Sequence, residues 1–151
     1  MVEMLCCVII MLLVSIGMVN GVSLAVRSYQ KSVMTSESQV LCNTLTSLVS
    51  DELRYSGTTY WTENPIAFYS RNYGDKCVFS TNDDGQVTLG GNKLLPSKAY
   101  HFGMRAEVTL TKKENTENTF SVKIEVKDAG GKLLAENSFD AEKLNTQEAA
   151  E

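Results

Sequence analysis

Hydrophobic and polar residues follow two different regimes along the chain. Between Glu3 and Arg27 no side chain carries a charge, and most positions are Leu, Ile, Val, Met, Ala or Cys. About 20 apolar residues cross about 30 Å of hydrocarbon as a helix, so residues 4–26 are long enough to span a membrane. Gly17, Asn20 and Gly21 lower helix propensity inside this run. Lipid offers the backbone no other hydrogen-bond partner, so a local loosening is expected there rather than a break.

Beyond Arg27 the pattern becomes amphipathic. Tyr29, Val33, Val40, Leu41, Leu45, Leu48 and Val49 recur at three- and four-residue spacing, with Ser28, Gln30, Lys31, Ser32, Glu37, Ser38, Asn43 and Ser50 between them. No proline intervenes before Pro65, and Gly57 can supply a left-handed cap. The spacing predicts one helix from the membrane to about Tyr55, roughly 80 Å long at 1.5 Å per residue. Residues 1–26 would form its membrane half and residues 27–55 its domain-facing half.

The remaining pattern is that of strands. Residues 76–80 and 86–89 flank Asn82-Asp83-Asp84-Gly85, a hairpin turn signature. Residues 105–111 alternate, with Ala106, Val108 and Leu110 on one face. Phe120, Val122, Ile124 and Val126 alternate with Ser121, Lys123, Glu125 and Lys127. Asp128-Ala129-Gly130-Gly131 then turns the chain into residues 132–139. Period-two alternation means one buried and one wet face, as in an antiparallel sheet covered by a helix. The expected class is α+β: one long N-terminal helix packed on a small antiparallel sheet, the domain ending near residue 140 and followed by a polar tail, 141–151.

Composition sharpens this picture. The 151 residues suit one modest domain plus an anchor. A net charge of -4, with a sequence pI near 5.1, argues against a general nucleic-acid surface, which needs a clustered basic face. A cleavable secretory signal would carry a basic n-region and a shorter apolar core. Here Met1-Val2-Glu3 is acidic. Of the four cysteines, Cys6 and Cys7 lie in the apolar run, where Cys is a small hydrophobe. Cys42 and Cys77 form an even pair in the polar part. With His101 the single histidine and no Cys-x-x-Cys, no metal site is expected.

Several residues are candidates for function. Glu3 places a carboxylate at the start of an apolar helix, where burial at mid-membrane costs on the order of 2.5 to 3.5 kcal/mol by analogy with aspartate. It serves either as an interfacial charge suited to the helix dipole or as one half of a contact between subunits. Gly17 and Gly21 have the Gly-x-x-x-Gly spacing that permits close helix approach in membranes. Asp83 and Asp84 lack the alternating carboxylates of a calcium loop and read as turn residues. Tyr60, Trp61, Phe68, Tyr69 and Tyr73 read as a cluster closing the sheet over the helix. Ser97 and His101 lack the ordered acid partner of a hydrolase, so no catalytic residue and no cofactor is expected. Cys42 and Cys77 are either a disulfide, closing a loop of about 35 residues worth roughly 3 to 4 kcal/mol, or two buried free thiols.

Val2 and Glu3, followed by the apolar run into one long amphipathic helix, resemble the start of type IV pilins and type II secretion pseudopilins. In that family a basic leader ending in glycine precedes Phe-Thr-Leu-Val-Glu, and a prepilin peptidase removes it and methylates the new amino terminus. Val2 and Glu3 match the Val-Glu, and Met1 stands at the leucine. The resemblance is specific over about the first thirty residues. It implies that Glu3 pairs with the amino terminus of a neighbouring subunit. The leader and the Phe-Thr are not in the sequence, and a leucine codon read as an initiator methionine would account for that. Arg27 and Lys31 follow the apolar run, so the positive-inside rule alone would put the soluble part in the cytoplasm. A basic leader upstream removes that conflict. Asn20-Gly21 stands where the family has a helix-breaking proline.

The function expected from the resemblance is a structural subunit that polymerises through its apolar helix, serving secretion, adhesion, motility or DNA uptake. Its partners would be like or related pilin subunits, the membrane, a prepilin peptidase and the assembly machinery, with the soluble domain extracytoplasmic and at the cell surface once assembled. The rival is a solitary single-pass anchor carrying a binding module. A membrane-tethered enzyme lacks any acid–base or metal constellation.

Overall fold

A computed structural model describes residues 2–61, 65–113 and 118–144. The helix α1 (Val2–Arg54) runs without interruption through Gly17, Asn20 and Gly21, so the expected loosening does not take the form of a break. The chain divides into two compact units, Met1–Ser36 and Glu37–Glu151, with the boundary inside α1.

The second unit is α+β. The end of α1 packs against short antiparallel strands: β1 (Thr59–Tyr60), β2 (Ala67–Ser70), β3 (Gly74–Cys77), β4 (Phe79–Thr81), β5 (Val87–Leu89), β6 (Asn92–Lys93), β7 (Arg105–Lys112), β8 (Thr119–Lys127) and β9 (Leu133–Glu142). Two single-turn 3-10 helices, Ser97–Ala99 and His101–Gly103, lie between β6 and β7. The strands form three sheets, β1-β2-β3, β4-β5-β6 and β7-β8-β9, where one was expected. The physical reason is visible at Val78. Residues 76–80 read as one strand, but Cys77 pairs with Phe68 while Phe79 pairs with Leu89. The Val78 carbonyl between them accepts from Gly90 N–H at 3.2 Å. One apolar run thus serves two sheets.

The expected hairpin is present. Asn82 Oδ1 accepts from Gln86 N–H at 2.8 Å, Gly85 N–H donates to the Asn82 carbonyl, and Gly85 takes φ 77°, which favours glycine. In β8, Phe120, Val122, Ile124 and Val126 are all at most 1% exposed, as the alternation predicts. They meet the helical residues Leu41, Cys42, Leu45, Val49 and Leu53 in one core with Phe68, Phe79, Val87 and Leu89. The stripe on α1 is narrower than expected: Val40 is exposed and Leu48 half-buried, while Ser38 is buried. The aromatic cluster divides. Phe68 is central, and Trp61 stacks on Phe120 with centroids 4.8 Å apart, whereas Tyr69 lies largely at the surface.

Both ends of this unit depart from the sequence reading. The helix ends at Arg54, within one residue of the expected end, but Gly57 supplies no left-handed cap, since it has no positive φ. Ser56 caps instead, its N–H and its hydroxyl both donating to the Leu53 carbonyl, at 3.2 and 2.7 Å. Glycine at 57 answers a close approach: a Cβ there would lie 2.7 Å from Tyr69 Cδ1. At the other end β9 continues to Glu142 and Ala141 is buried, so the domain runs past residue 140 into the expected tail. Leu144 N–H reaches back to the Arg54 carbonyl at 3.0 Å, and residues 145–151 lie outside the described residues.

Candidate functional site

The candidate site is the first half of α1, within the unit Met1–Ser36. Residues 4–26 at 1.5 Å per residue make about 34 Å of helix, enough to cross the hydrocarbon of a membrane. Among the described residues, none of this apolar span is buried. Met18, Val8, Leu12, Ile9, Leu24 and Val14, spread over every side of the helix at 100° per residue, are all exposed. A helix apolar all round belongs in a large core or in lipid, and the described residues bury none of this span. The chain therefore has one helix near the N-terminus that is long and apolar enough to cross a membrane.

Polar groups on this segment fall into two kinds. Ser15 Oγ donates to the Met11 carbonyl at 2.8 Å, one turn back, so its hydroxyl is satisfied locally. Glu3 lies exposed in the first turn, where the free N–H groups and the helix dipole favour a negative charge. Arg27 and Lys31 follow the apolar run one turn apart and are exposed.

Gly17 and Gly21 stand one turn apart, and a Cβ at either would meet nothing within 4 Å. Neither has a positive φ. The chain's own fold therefore requires glycine at neither position. Each costs a helix roughly 1 kcal/mol relative to alanine. Sequence reading identified this pair and Glu3. It treated Asn20 only as a weak helix former, although an amide in an apolar span is itself a signal.

The second unit holds the remaining candidates. Cys42 and Cys77 are both buried and both free thiols, so the disulfide considered above is not formed. They belong to different neighbourhoods. Cys42 lies near Thr46 and Glu136, whereas Cys77 Sγ donates to the Gly74 carbonyl at 3.4 Å and lies near Ser70 and Glu52. Glu52 is ten residues beyond Cys42 on α1, roughly 15 Å of helix, whereas a disulfide needs Cα atoms within about 7 Å. Burial pushes both thiols above their ordinary pKa, which keeps them protonated and unreactive.

Asp83 and Asp84 occupy the β4–β5 turn. Ser97 Oγ lies between Lys93 Nζ at 3.2 Å and Gln86 Oε1 at 3.3 Å, and His101 is exposed beside Phe102, so the two do not pair. Among the described residues no group of three or more His, Cys, Asp or Glu side chains is placed to hold a metal. Glu52 was missed in the sequence. It accepts from Ser70 Oγ at 2.8 Å and Asn72 Nδ2 at 2.6 Å, and Asn137 Nδ2 donates to Thr46 Oγ1 at 3.0 Å, so polar side chains tie the helix to β2 and β9. Compared with known proteins, the chain matches no family model, no curated protein and no solved structure.

Proposed function

We propose that this chain is a membrane-anchored structural subunit of a type IV pilus-like or type II secretion-like filament. It is held in the membrane by residues 4–26 and assembles through the same helix, with its α+β unit extracytoplasmic. The observation that carries this reading is an apolar helical span, exposed throughout, that begins directly after a carboxylate in the first turn of α1. A membrane alone explains the apolar surface. It does not explain Glu3, whose charge lies at the edge of the span and gains most from a cationic neighbour in low dielectric. The amino terminus of an adjacent subunit provides that neighbour, and the match of Val2-Glu3 to the pilin pattern supports the same pairing.

The test is Glu3→Ala in a gene carrying the region upstream of the chain. Glu3 makes no core contact, so domain stability should change by less than about 0.5 kcal/mol. The variant should be folded and membrane-held yet enter filaments poorly, measured as subunit in sheared surface filaments against subunit left in the membrane. Equal incorporation of variant and wild type would leave Glu3 as an interfacial charge. The protein would then be a solitary membrane-anchored binding module.

A further inference from the structure

Asn20 lies within the apolar span, past its midpoint, and its amide has no side-chain hydrogen bond among the described residues. Ser15 shows how a short polar side chain can satisfy itself against its own helix; the Asn20 amide does not. It carries two N–H donors and a carbonyl oxygen with two lone pairs. Within hydrocarbon, each of these left unmatched is costly. Leu13, Gly17, Asn20, Gly21 and Leu24 recur at three- and four-residue spacing and so share one side of α1. On that side both glycines are open, leaving a shallow depression beside the amide.

We propose that this face binds a second copy of the same chain within the membrane, with Asn20 of each copy hydrogen-bonded to Asn20 of the other. The proposal rests on the membrane reading above and adds a contact distinct from Glu3. Identical chains inserted with one topology lie parallel, so their Asn20 side chains meet at the same depth. An amide is self-complementary, its N–H groups matching the carbonyl of its twin across a two-fold axis. Gly17 and Gly21 let the two backbones approach closely enough for such short side chains to meet. An unrelated helix would satisfy Asn20 only if it happened to carry a polar group at that depth.

The experiment uses the full chain, fused at its C-terminus to donor or acceptor fluorescent proteins, in phosphatidylcholine vesicles. Energy transfer reports association, and resistance to alkaline carbonate reports insertion. Wild type should insert and show transfer that rises with protein-to-lipid ratio. Asn20→Leu should insert equally well and associate about 3- to 30-fold more weakly, the range expected for hydrogen bonds between membrane helices. Asn20→Gln should retain association, and Gly17→Leu should lose it. An inserted Asn20→Leu that associates like wild type overturns the proposal, as does an inserted wild type that stays monomeric and so leaves Asn20 to a different partner. A wild-type chain stripped from vesicles by carbonate overturns the membrane reading itself, and this contact with it.

Discussion

Phe120→Ala tests whether the β8 face is the centre of the soluble unit. The ring is buried, stacks on Trp61 at 4.8 Å and meets Phe68 at 6.4 Å. Truncating a buried phenylalanine costs about 3 to 5 kcal/mol through lost transfer free energy and the cavity left behind. Each lost aromatic pair contributes about 0.5 to 1.5 kcal/mol, which puts this site near the upper end, about 4 to 5 kcal/mol. A domain of this size has a stability of about 5 to 15 kcal/mol, so the variant folds with much of its margin gone. With a urea slope of about 1.5 kcal/mol/M, the unfolding midpoint should fall by about 2.7 to 3.3 M. Trp61 is the single tryptophan and provides the probe, its fluorescence followed during urea unfolding of the full chain in detergent micelles. Circular dichroism near 218 nm gives a second readout that does not depend on the lost stack. Ser138→Ala, on the exposed face of β9, should shift the midpoint by less than about 0.4 M. A Phe120→Ala shift below about 0.7 M would refute the placement of this ring at the core.

Two further measurements address particular residues. Gly57→Ala should destabilise by about 1 to 3 kcal/mol because its Cβ meets the Tyr69 ring, and Gly57→Ala with Tyr69→Ala should cost less than the sum of the single changes; strict additivity would place the cost in the backbone instead. Glu125 is bonded by Lys123 Nζ and by Lys127 Nζ, both at 2.7 Å, and in that order they lower its pKa from 4.5 to about 2. A carboxylate lowered in the folded state contributes stability that is complete above its unfolded pKa and lost as pH falls through the folded one. Stability should therefore decline between about pH 4.5 and 2, less steeply in Glu125→Gln, and only weakly in high salt because the three side chains are partly open to solvent. Identical acid profiles for Glu125→Gln and wild type would show that the two lysine bonds contribute nothing.

The sequence carried the elements whose pattern is long and repeated. The uncharged run between Glu3 and Arg27 fixes one helix near the N-terminus, and four alternating residues in β8 admit only one buried face, because a one-residue slip would expose them all. Helical periodicity located the buried stripe on α1 to within one position, but could not choose between neighbours: Val40 and Leu41 lie about 100° apart, and only Leu41 meets the core. The division into three sheets was not legible. Strands of two to four residues carry too little alternation to name their partners, and Val78 shows that pairing, not composition, splits a run. The glycine at 57 was read through its commonest use, a left-handed cap, when the reason for it is a tyrosine twelve residues later. At the candidate site, Glu3, Gly17 and Gly21 were legible because each breaks a rule of apolar helices. Asn20 breaks the same rule and was passed over because its side chain was weighed only for helix propensity.

That distribution of broken rules bears on function without reference to any family. In a chain selected only for folding, local preference and global structure agree, and conflicts between them collect where something outside the chain is engaged. The unit Glu37–Glu151 has conflicts of its own, Lys76 and Phe102 at positive φ and a buried Lys143, but its polar interior is largely matched. Its buried serines at 38, 56 and 70 are each bonded, and Thr59 Oγ1 is the one buried side-chain oxygen without a partner among the described residues. Residues 3–24 hold a different set: an acid at the head of an apolar helix, two glycines that no contact among the described residues requires, an amide with no partner among them, and large apolar side chains exposed on every side. On the proposed reading, lipid resolves the last of these, the glycines and the amide take a close partner within the membrane, and Glu3 takes a cation at its edge. A second copy of the chain can supply both, the first through Asn20 at equal depth and the second through its amino terminus, by two contacts that Asn20→Leu and Glu3→Ala separate.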